Sequence, residues 1–361
     1  MKPGIQHKLN WLTQQFSKNN IRIVGGYHYG NIGDMAMGMS AKEFLEVKGL
    51  SSHLQTIYNL KYWPNKKYTI LGGGAIGYNI CLNQVQKSLK GNYQNLGIIG
   101  VDFNEPSYPD STIDMLCKAA FISTRSNSQA ELLSTLTQRN DIKAYPDLAF
   151  AYRISAFKKI RQPIVNGKNR ERLLFNIVPL YGQIKGGKMV VSKQYQLERP
   201  DIIQNHSSYL AAYIDFIKSH VSKAINLGID VVHIPFTPSD EAYAKMIFNG
   251  PEIIHLPYSA DPTSIGFRIN PTDKFITTRF HATVFGIRSG ASVLPIAYAR
   301  KNEELLFDLG WGKHEYFQLT ENIEKNIDNI PFKKIDYSLI DRKEEEAKEG
   351  LINGLISLKL I

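Results

Sequence analysis

Apolar residues along this chain gather in short runs, and between the runs they recur at three- and four-residue intervals. The first pattern marks strands and the second amphipathic helices. In the first half the runs fall at residues 21–24, 54–58, 68–71, 97–101, 121–123 and 142–144. Helical patterns separate most of them, as at 34–47, 111–120 and 128–136. This alternation predicts a parallel sheet covered on both faces. Residues 157–172 interrupt it: they are polar and basic, contain Pro163 and Gly167, and read as a linker. The alternation then restarts, with strands expected at 173–178, 231–234, 253–256, 275–277 and 293–297. Helices are expected at 207–226, 240–248, 281–288 and 302–309.

The pattern predicts an α/β protein of two doubly wound, Rossmann-like domains, residues 1–156 and 173–335. An inter-domain ligand cleft between the carboxyl ends of the two sheets goes with that arrangement. Residues 336–361 form a final helix, where Leu351, Ile352, Leu355 and Ile356 keep helical spacing and are expected to pack onto a domain.

Composition adds limits. The 361 residues are 43% apolar and 11% aromatic, which excludes disordered and low-complexity classes. No apolar run approaches the ~20 residues that cross a bilayer. The amino-terminal segment lacks the order of a secretory signal, and Cys81 and Cys117 cannot build a disulfide framework. A cytoplasmic protein is therefore expected. Neither the cysteines nor the histidines, among them His28, His53, His206, His233, His255 and His281, show metal-ligand spacing, so no metal is expected. The formal charge of +10 favours an anionic partner: a phosphorylated small molecule, a nucleic acid or an acidic membrane surface.

Two glycine-rich segments sit at strand carboxyl ends, where such sheets bind ligands. Gly30, Asn31, Ile32, Gly33 and Asp34 lead into the first long helix. A turn with Asp34 as helix cap explains part of this. The crowding of Tyr27, His28, Tyr29 and Asn31 exceeds what a turn needs. The spacing is not that of a dinucleotide-binding loop. Gly72, Gly73 and Gly74 follow the strand at 68–71 and suit backbone contact with a sugar or phosphate.

The basic candidates share one setting. Arg279 and His281 lie two apart at a strand-to-helix junction and, in extended geometry, point the same way. Lys301 follows the next strand, and Arg125 follows the strand at 121–123. Cations at strand ends suit a small polyanion carrying carboxylate and phosphate.

These segments together resemble the polysaccharide pyruvyl transferase family. The resemblance rests on Gly-Asn-Ile-Gly-Asp at 30–34, Gly-Gly-Gly at 72–74, Ser-Thr-Arg-Ser at 123–126, and Pro146 with Asp147. Thr-Arg-Phe-His-Ala at 278–282 and Leu-Pro-Ile-Ala-Tyr-Ala-Arg-Lys at 294–301 complete the set, in family order. It implies a fold like the GT-B glycosyltransferases. It also implies transfer of the pyruvyl group of phosphoenolpyruvate onto two hydroxyls of a sugar in a cell-surface polysaccharide or its precursor, giving a cyclic ketal. Carried over, Arg279, His281 and Arg125 are phosphoenolpyruvate ligands, and the loop of Asn31 and Asp34 lies on the acceptor side. From their places at strand ends, Lys301 is expected to join the phosphoenolpyruvate ligands, and Tyr29, Gly73 and Gly74 to join Asn31 on the acceptor side. Phe280 departs from the small aliphatic residue usual in the family, and 180–206 carries no family signal.

Within that scheme His281 is the general acid and Asp34 a candidate base. No cofactor beyond phosphoenolpyruvate as co-substrate is expected. The expected partners are phosphoenolpyruvate and a sugar acceptor, free or lipid-linked. A lipid-linked acceptor would bring peripheral contact with the inner face of the membrane. Replacing Arg279 or His281 by alanine is expected to abolish transfer and leave the fold intact. Two rival readings remain. One is a nucleotide-sugar glycosyltransferase, with Glu303 or Glu304 on the ribose. The other is a nucleic-acid binder, for which pI ≈ 9.3 speaks but no recognition motif does, so no nucleic acid is expected.

Overall fold

The computed structural model describes residues 20–27, 30–58, 60, 65–103, 105, 107–162, 171–185, 188–191, 205–319 and 330–361. The chain divides into two compact units, one of residues 1–154 with 341–361 and the other of 155–340.

The first unit carries β1 (Ile21–Gly25), α1 (Ile32–Val47), β2 (Ser52–Thr56), β3 (Tyr68–Gly74), α2 (Asn79–Leu89) and β4 (Leu96–Val101). It continues with α3 (Asp110–Lys118), β5 (Phe121–Thr124), α4 (Asn127–Thr137) and β6 (Lys143–Ala144). The six strands are all parallel, in the order β2-β1-β3-β4-β5-β6. Their near-continuous apolar runs follow from burial on both faces. Ile98 packs with Leu82 and Val85 of α2 and Met115 of α3. Its neighbour Ile99 points the other way and lies against Gly354 of the carboxyl-terminal helix.

The second unit carries α5 (Ile154–Ile160), β7 (Arg172–Phe175), the antiparallel hairpin β8 (Gly182–Lys185) and β9 (Lys188–Val191), α6 (His206–Asn226) and β10 (Asp230–His233). Then come α7 (Pro238–Ile247), β11 (Ile253–His255), α8 (Pro262–Gly266), β12 (Lys274–Thr277) and α9 (Phe280–Arg288). The last elements of this unit are β13 (Ser292–Ala297), α10 (Arg300–Asp308) and β14 (Phe317–Gln318); the final helix α11 (Tyr337–Ser357) belongs to the first unit from Asp341 onward. Again six strands are parallel, ordered β11-β10-β7-β12-β13-β14. Leu294 joins a core with Phe216 of α6 and Tyr243 of α7, whereas Val293 joins one with Ile287 of α9 and Leu306 of α10.

This is the expected α/β architecture of two doubly wound, Rossmann-like sheets. Residues 157–160, read from sequence as part of a linker, complete α5, and 163–170 lie outside the described residues. The hairpin β8–β9 had no counterpart in the sequence pattern.

One expectation is corrected. Gly72, Gly73 and Gly74 are not a loop after β3; they are its last three residues, with Gly72 opposite Ile99 and Gly74 opposite Val101. Gly73 and Gly74 adopt φ of +70° and +89° within the strand end. A Cβ at Gly73 would overlap the Met37 sulfur and stand 2.8 Å from its Cβ. The glycine is thus required by the packing of α1. Gly73→Ala is expected to cost about 2–4 kcal/mol, from backbone strain plus overpacking. Urea denaturation checks this, and a loss below about 0.5 kcal/mol would contradict the packing argument.

His233, at the end of β10, is fully buried between Phe175 and His255, with ring centroids 5.2 and 5.4 Å away. Burial first, then the neighbouring His255, pushes its pKa down to about 3. The unfolded chain takes up this proton near pH 6.5, the folded chain only near 3. The stabilisation is therefore complete above pH 6.5 and is lost as the pH falls toward 3. Between pH 7 and pH 5 the loss is about 2 kcal/mol. Denaturation at both pH values should show a shallower loss in His233→Phe; an unchanged loss would contradict the assignment.

Candidate active site

In a doubly wound sheet, ligands bind beyond the strand carboxyl ends where the strand order reverses. In the first unit that point lies between β1 and β3. Tyr27, just after β1, fills the space beside Gly25 and Gly38, and its hydroxyl donates to the Gly72 carbonyl at 3.0 Å. Burial, reinforced by the Asp34 carboxylate, raises the Tyr27 pKa well above the usual phenol range, so it stays protonated.

Asn31 is the N-cap of α1, its side chain accepting from the Gly33 amide at 3.1 Å. The capping role expected of Asp34 therefore belongs to Asn31. Asp34, three residues on, is half-buried with its carboxylate between the two strand ends. One oxygen is 3.3 Å from the Cβ position of Gly26 and the other 3.3 Å from that of Gly74. A side chain at either glycine would crowd the carboxylate. The structure thus brings Asp34 and Gly74 together, with Gly73 buried beneath α1. Tyr29 and His28 lie outside the described residues.

Arg125 follows β5 and is only 7% exposed. Its Nε donates to Asp102 Oδ1 at 2.7 Å, and Nη1 donates to Asp147 Oδ2 at 2.5 Å. Two carboxylates thus balance its charge inside the unit. Asp102 also holds the glycine segment through its backbone. Its N–H donates to Gly74 O, and its carbonyl accepts from Gly77 N, both at 3.0 Å. Asp147 accepts in turn from the Ala149 amide at 2.8 Å. Arg125 therefore acts on the shape of the loops beyond β3 and β4.

In the second unit the order reverses between β7 and β12, and Arg279 stands there as the N-cap residue of α9. Its backbone is extended, but Phe280 and His281 are already helical. The side-by-side arrangement expected from extended geometry does not apply, because the helix begins between them. Asn176, the residue after β7, ties three strand ends together. Its Oδ1 accepts from the Arg279 amide at 3.0 Å, and its Nδ2 donates to Ile234 O at 3.2 Å. Its carbonyl accepts from Thr278 Oγ1 at 2.9 Å. The buried Tyr213 hydroxyl lies 2.9 Å from that same Thr278 oxygen.

The Arg279 guanidinium forks onto Asp240 of α7, Nε to Oδ2 and Nη2 to Oδ1, both at 2.6 Å. Asp240 is fully buried, and Arg279 keeps 22% of its side chain exposed. His281 is nearly buried, its ring edge-on to Phe280 with centroids 5.1 Å apart. Lys301, in the first turn of α10, is half-buried and makes no ion pair among the described residues. The next residue, Asn302, donates to Thr278 O at 3.3 Å and so couples the Lys301 turn to the Arg279 segment.

Sequence reasoning missed Asn176, Asp240, Asp102 and Asn302. Only Asp240 had a readable signal: Thr237, Pro238, Ser239 and Asp240 form a capping box with proline at its first helical position. Among the described residues no group of three His, Cys, Asp or Glu side chains assembles to hold a metal. No helix there is long and apolar enough to cross a membrane.

The model of the polysaccharide pyruvyl transferase family matches residues 31–300. The chain belongs to that family. This polysaccharide pyruvyl transferase family member is therefore a transferase. The matched span opens on Asn31, the cap of α1, and contains Asp34, Arg125, Arg279 and His281; Lys301 lies one residue beyond it. No curated protein matches the chain. Solved structures are similar over most of its length at low identity. A functionally uncharacterized protein of Klebsiella pneumoniae is 13% identical, over 85% of this chain and 94% of that one, with a TM-score of 0.43. The UDP-GlcNAc 2-epimerase of Methanocaldococcus jannaschii is 10% identical, over 89% and 97%, with a TM-score of 0.44. An alpha,alpha-trehalose-phosphate synthase of Burkholderia vietnamiensis is 10% identical, over 95% and 96%, with a TM-score of 0.41.

Proposed function

We propose that the protein transfers the pyruvyl group of phosphoenolpyruvate onto two hydroxyls of a sugar, forming a cyclic ketal and releasing phosphate. The observation that carries this reading is Arg279, held at the N-terminus of α9 at the point where the second sheet reverses its order. Helix N-termini favour anions, and a fixed guanidinium favours carboxylate or phosphate. Phosphoenolpyruvate carries both groups.

In this reading Arg279 and Lys301 neutralise and orient the donor. His281 delivers a proton to the methylene carbon, and the central carbon gains oxocarbenium character. One sugar hydroxyl attacks that carbon, the bond to the phosphate oxygen breaks, and the second hydroxyl closes the ketal. Two hydroxyl protons are released. One balances the proton placed on the methylene carbon, and the other leaves with phosphate. Asp34 is the base assigned to the acceptor side, since capping falls to Asn31. Arg125 serves by shaping the loops around Asp102 and Gly74. The scheme calls for no cofactor beyond phosphoenolpyruvate. The acceptor is a surface-polysaccharide sugar or its precursor, free or lipid-linked. A lipid-linked acceptor would draw the protein to the inner face of the membrane.

The glycosyltransferase alternative drew on Glu303 and Glu304 for a ribose. Glu303 accepts from Gln318 at 3.2 Å, and Glu304 pairs with Arg300 at 2.8 Å. No observation here favours that alternative. Mass spectrometry of sugar acceptors incubated with protein and phosphoenolpyruvate tests the proposal. The expected result is the mass gain of one pyruvyl ketal with release of one phosphate. Glycosylated product from a nucleotide sugar, with none from phosphoenolpyruvate, would overturn it.

A further inference from the structure

We infer that Asp240 is a positioning residue of the donor site: its buried carboxylate sets the plane and reach of the Arg279 guanidinium. The inference rests on the reading of Arg279 as a ligand of phosphoenolpyruvate, and it deepens that reading.

A fully buried carboxylate is costly unless hydrogen bonds compensate it. Asp240 accepts four. The Phe236 and Thr237 amides reach Oδ2, each at 3.1 Å, and complete the cap of α7. The cap therefore occupies one oxygen only. The other oxygen, Oδ1, receives Arg279 Nη2, while Nε joins the amides on Oδ2. Thr237 also serves both partners. Its Oγ1 accepts from the Asp240 amide and from Arg279 Nη2, each at 3.2 Å. The start of α7 is thus built around the guanidinium as much as around its own amides.

Such a fork fixes the plane of the arginine as a single contact cannot. Asn176 fixes the same residue at its backbone amide. Arg279 is therefore held at both ends of its side chain before any ligand arrives. The electrostatic consequence runs the other way, because a carboxylate within hydrogen-bonding distance cancels part of the attraction of Arg279 for an anion. Charge alone predicts tighter donor binding when Asp240 is neutralised; positioning predicts weaker binding.

The sign of that change is the test. Asp240→Asn keeps the size and one acceptor oxygen for the cap, and removes the ionic fork. Steady-state kinetics should show the KM for phosphoenolpyruvate raised about tenfold, with kcat within about threefold of wild type. A purely structural role would lower the melting temperature and leave KM unchanged. An unchanged or lowered KM in folded Asp240→Asn overturns the inference. Should that variant fail to fold, Thr237→Val removes one contact to Nη2 in the same shape. It should raise KM about threefold, with Thr237→Ser restoring it. An unchanged KM in folded Thr237→Val then overturns the inference. A wild-type protein that neither turns over nor is thermally stabilised by phosphoenolpyruvate overturns the donor reading and this inference with it. Wild type that binds the donor, beside variants that bind it equally, overturns the inference alone.

Discussion

Replacing Arg279 by alanine is expected to lower kcat/KM for phosphoenolpyruvate by about a thousandfold and to destabilise the second unit as well. The second effect follows from the geometry and corrects the expectation of an intact fold. Asp240 is fully buried, and the fork from Arg279 supplies two of its hydrogen bonds. Removing one partner of such a pair leaves an uncompensated buried charge, at a cost of about 3–5 kcal/mol. In a unit of this size that lowers the melting temperature by on the order of 10 °C. The two effects separate when activity is measured well below the new melting temperature. Arg279→Lys keeps the charge and loses the fork, so it should retain more stability than alanine and still bind the donor poorly. A folded Arg279→Ala protein with an ordinary KM for phosphoenolpyruvate would contradict the assignment.

His281→Ala should act differently. The side chain lies in the first turn of α9, nearly buried, with its ring edge against Phe280. Alanine there improves helix propensity and removes one packed ring, so the expected loss of stability is about 1–2 kcal/mol. If His281 delivers the proton to the donor carbon, kcat should fall about 10²–10⁴-fold with KM for phosphoenolpyruvate changed much less. Steady-state kinetics separates the two parameters. Loss of binding with unchanged kcat would move His281 from acid to ligand, and near-normal turnover would remove it from the mechanism.

The strands and helices were legible because buried parallel strands read as continuous apolar runs, and the helices between them repeat with their own period. Where the sequence misled, a specific competitor was at work. Gly72–Gly74 looked like a loop, yet they end β3 because glycine is what lets α1 approach through Met37. Asp34 looked like a cap, but Asn31, three residues earlier, already accepts from the Gly33 amide. Arg125 and Arg279 looked like cations awaiting an anion; Arg125 is paired with two buried carboxylates and Arg279 with one. Those pairings were not legible for a simple reason, even though Asp240 itself could be read as part of a helix cap. Asn176 lies 103 residues from Arg279, Asp240 lies 39 from it, and Asp102 lies 23 from Arg125. Spacing arguments reach one helix turn or one strand, whereas these contacts are made by the sheet order.

Equilibrium titration of the protein with phosphoenolpyruvate, by calorimetry and beside a panel of nucleotide sugars, tests the central claim most directly. The account predicts saturable binding of one phosphoenolpyruvate per chain, lost in Arg279→Ala and Arg279→Lys at a temperature where both are folded. Saturable binding of a nucleotide sugar, with no heat from phosphoenolpyruvate, would contradict it.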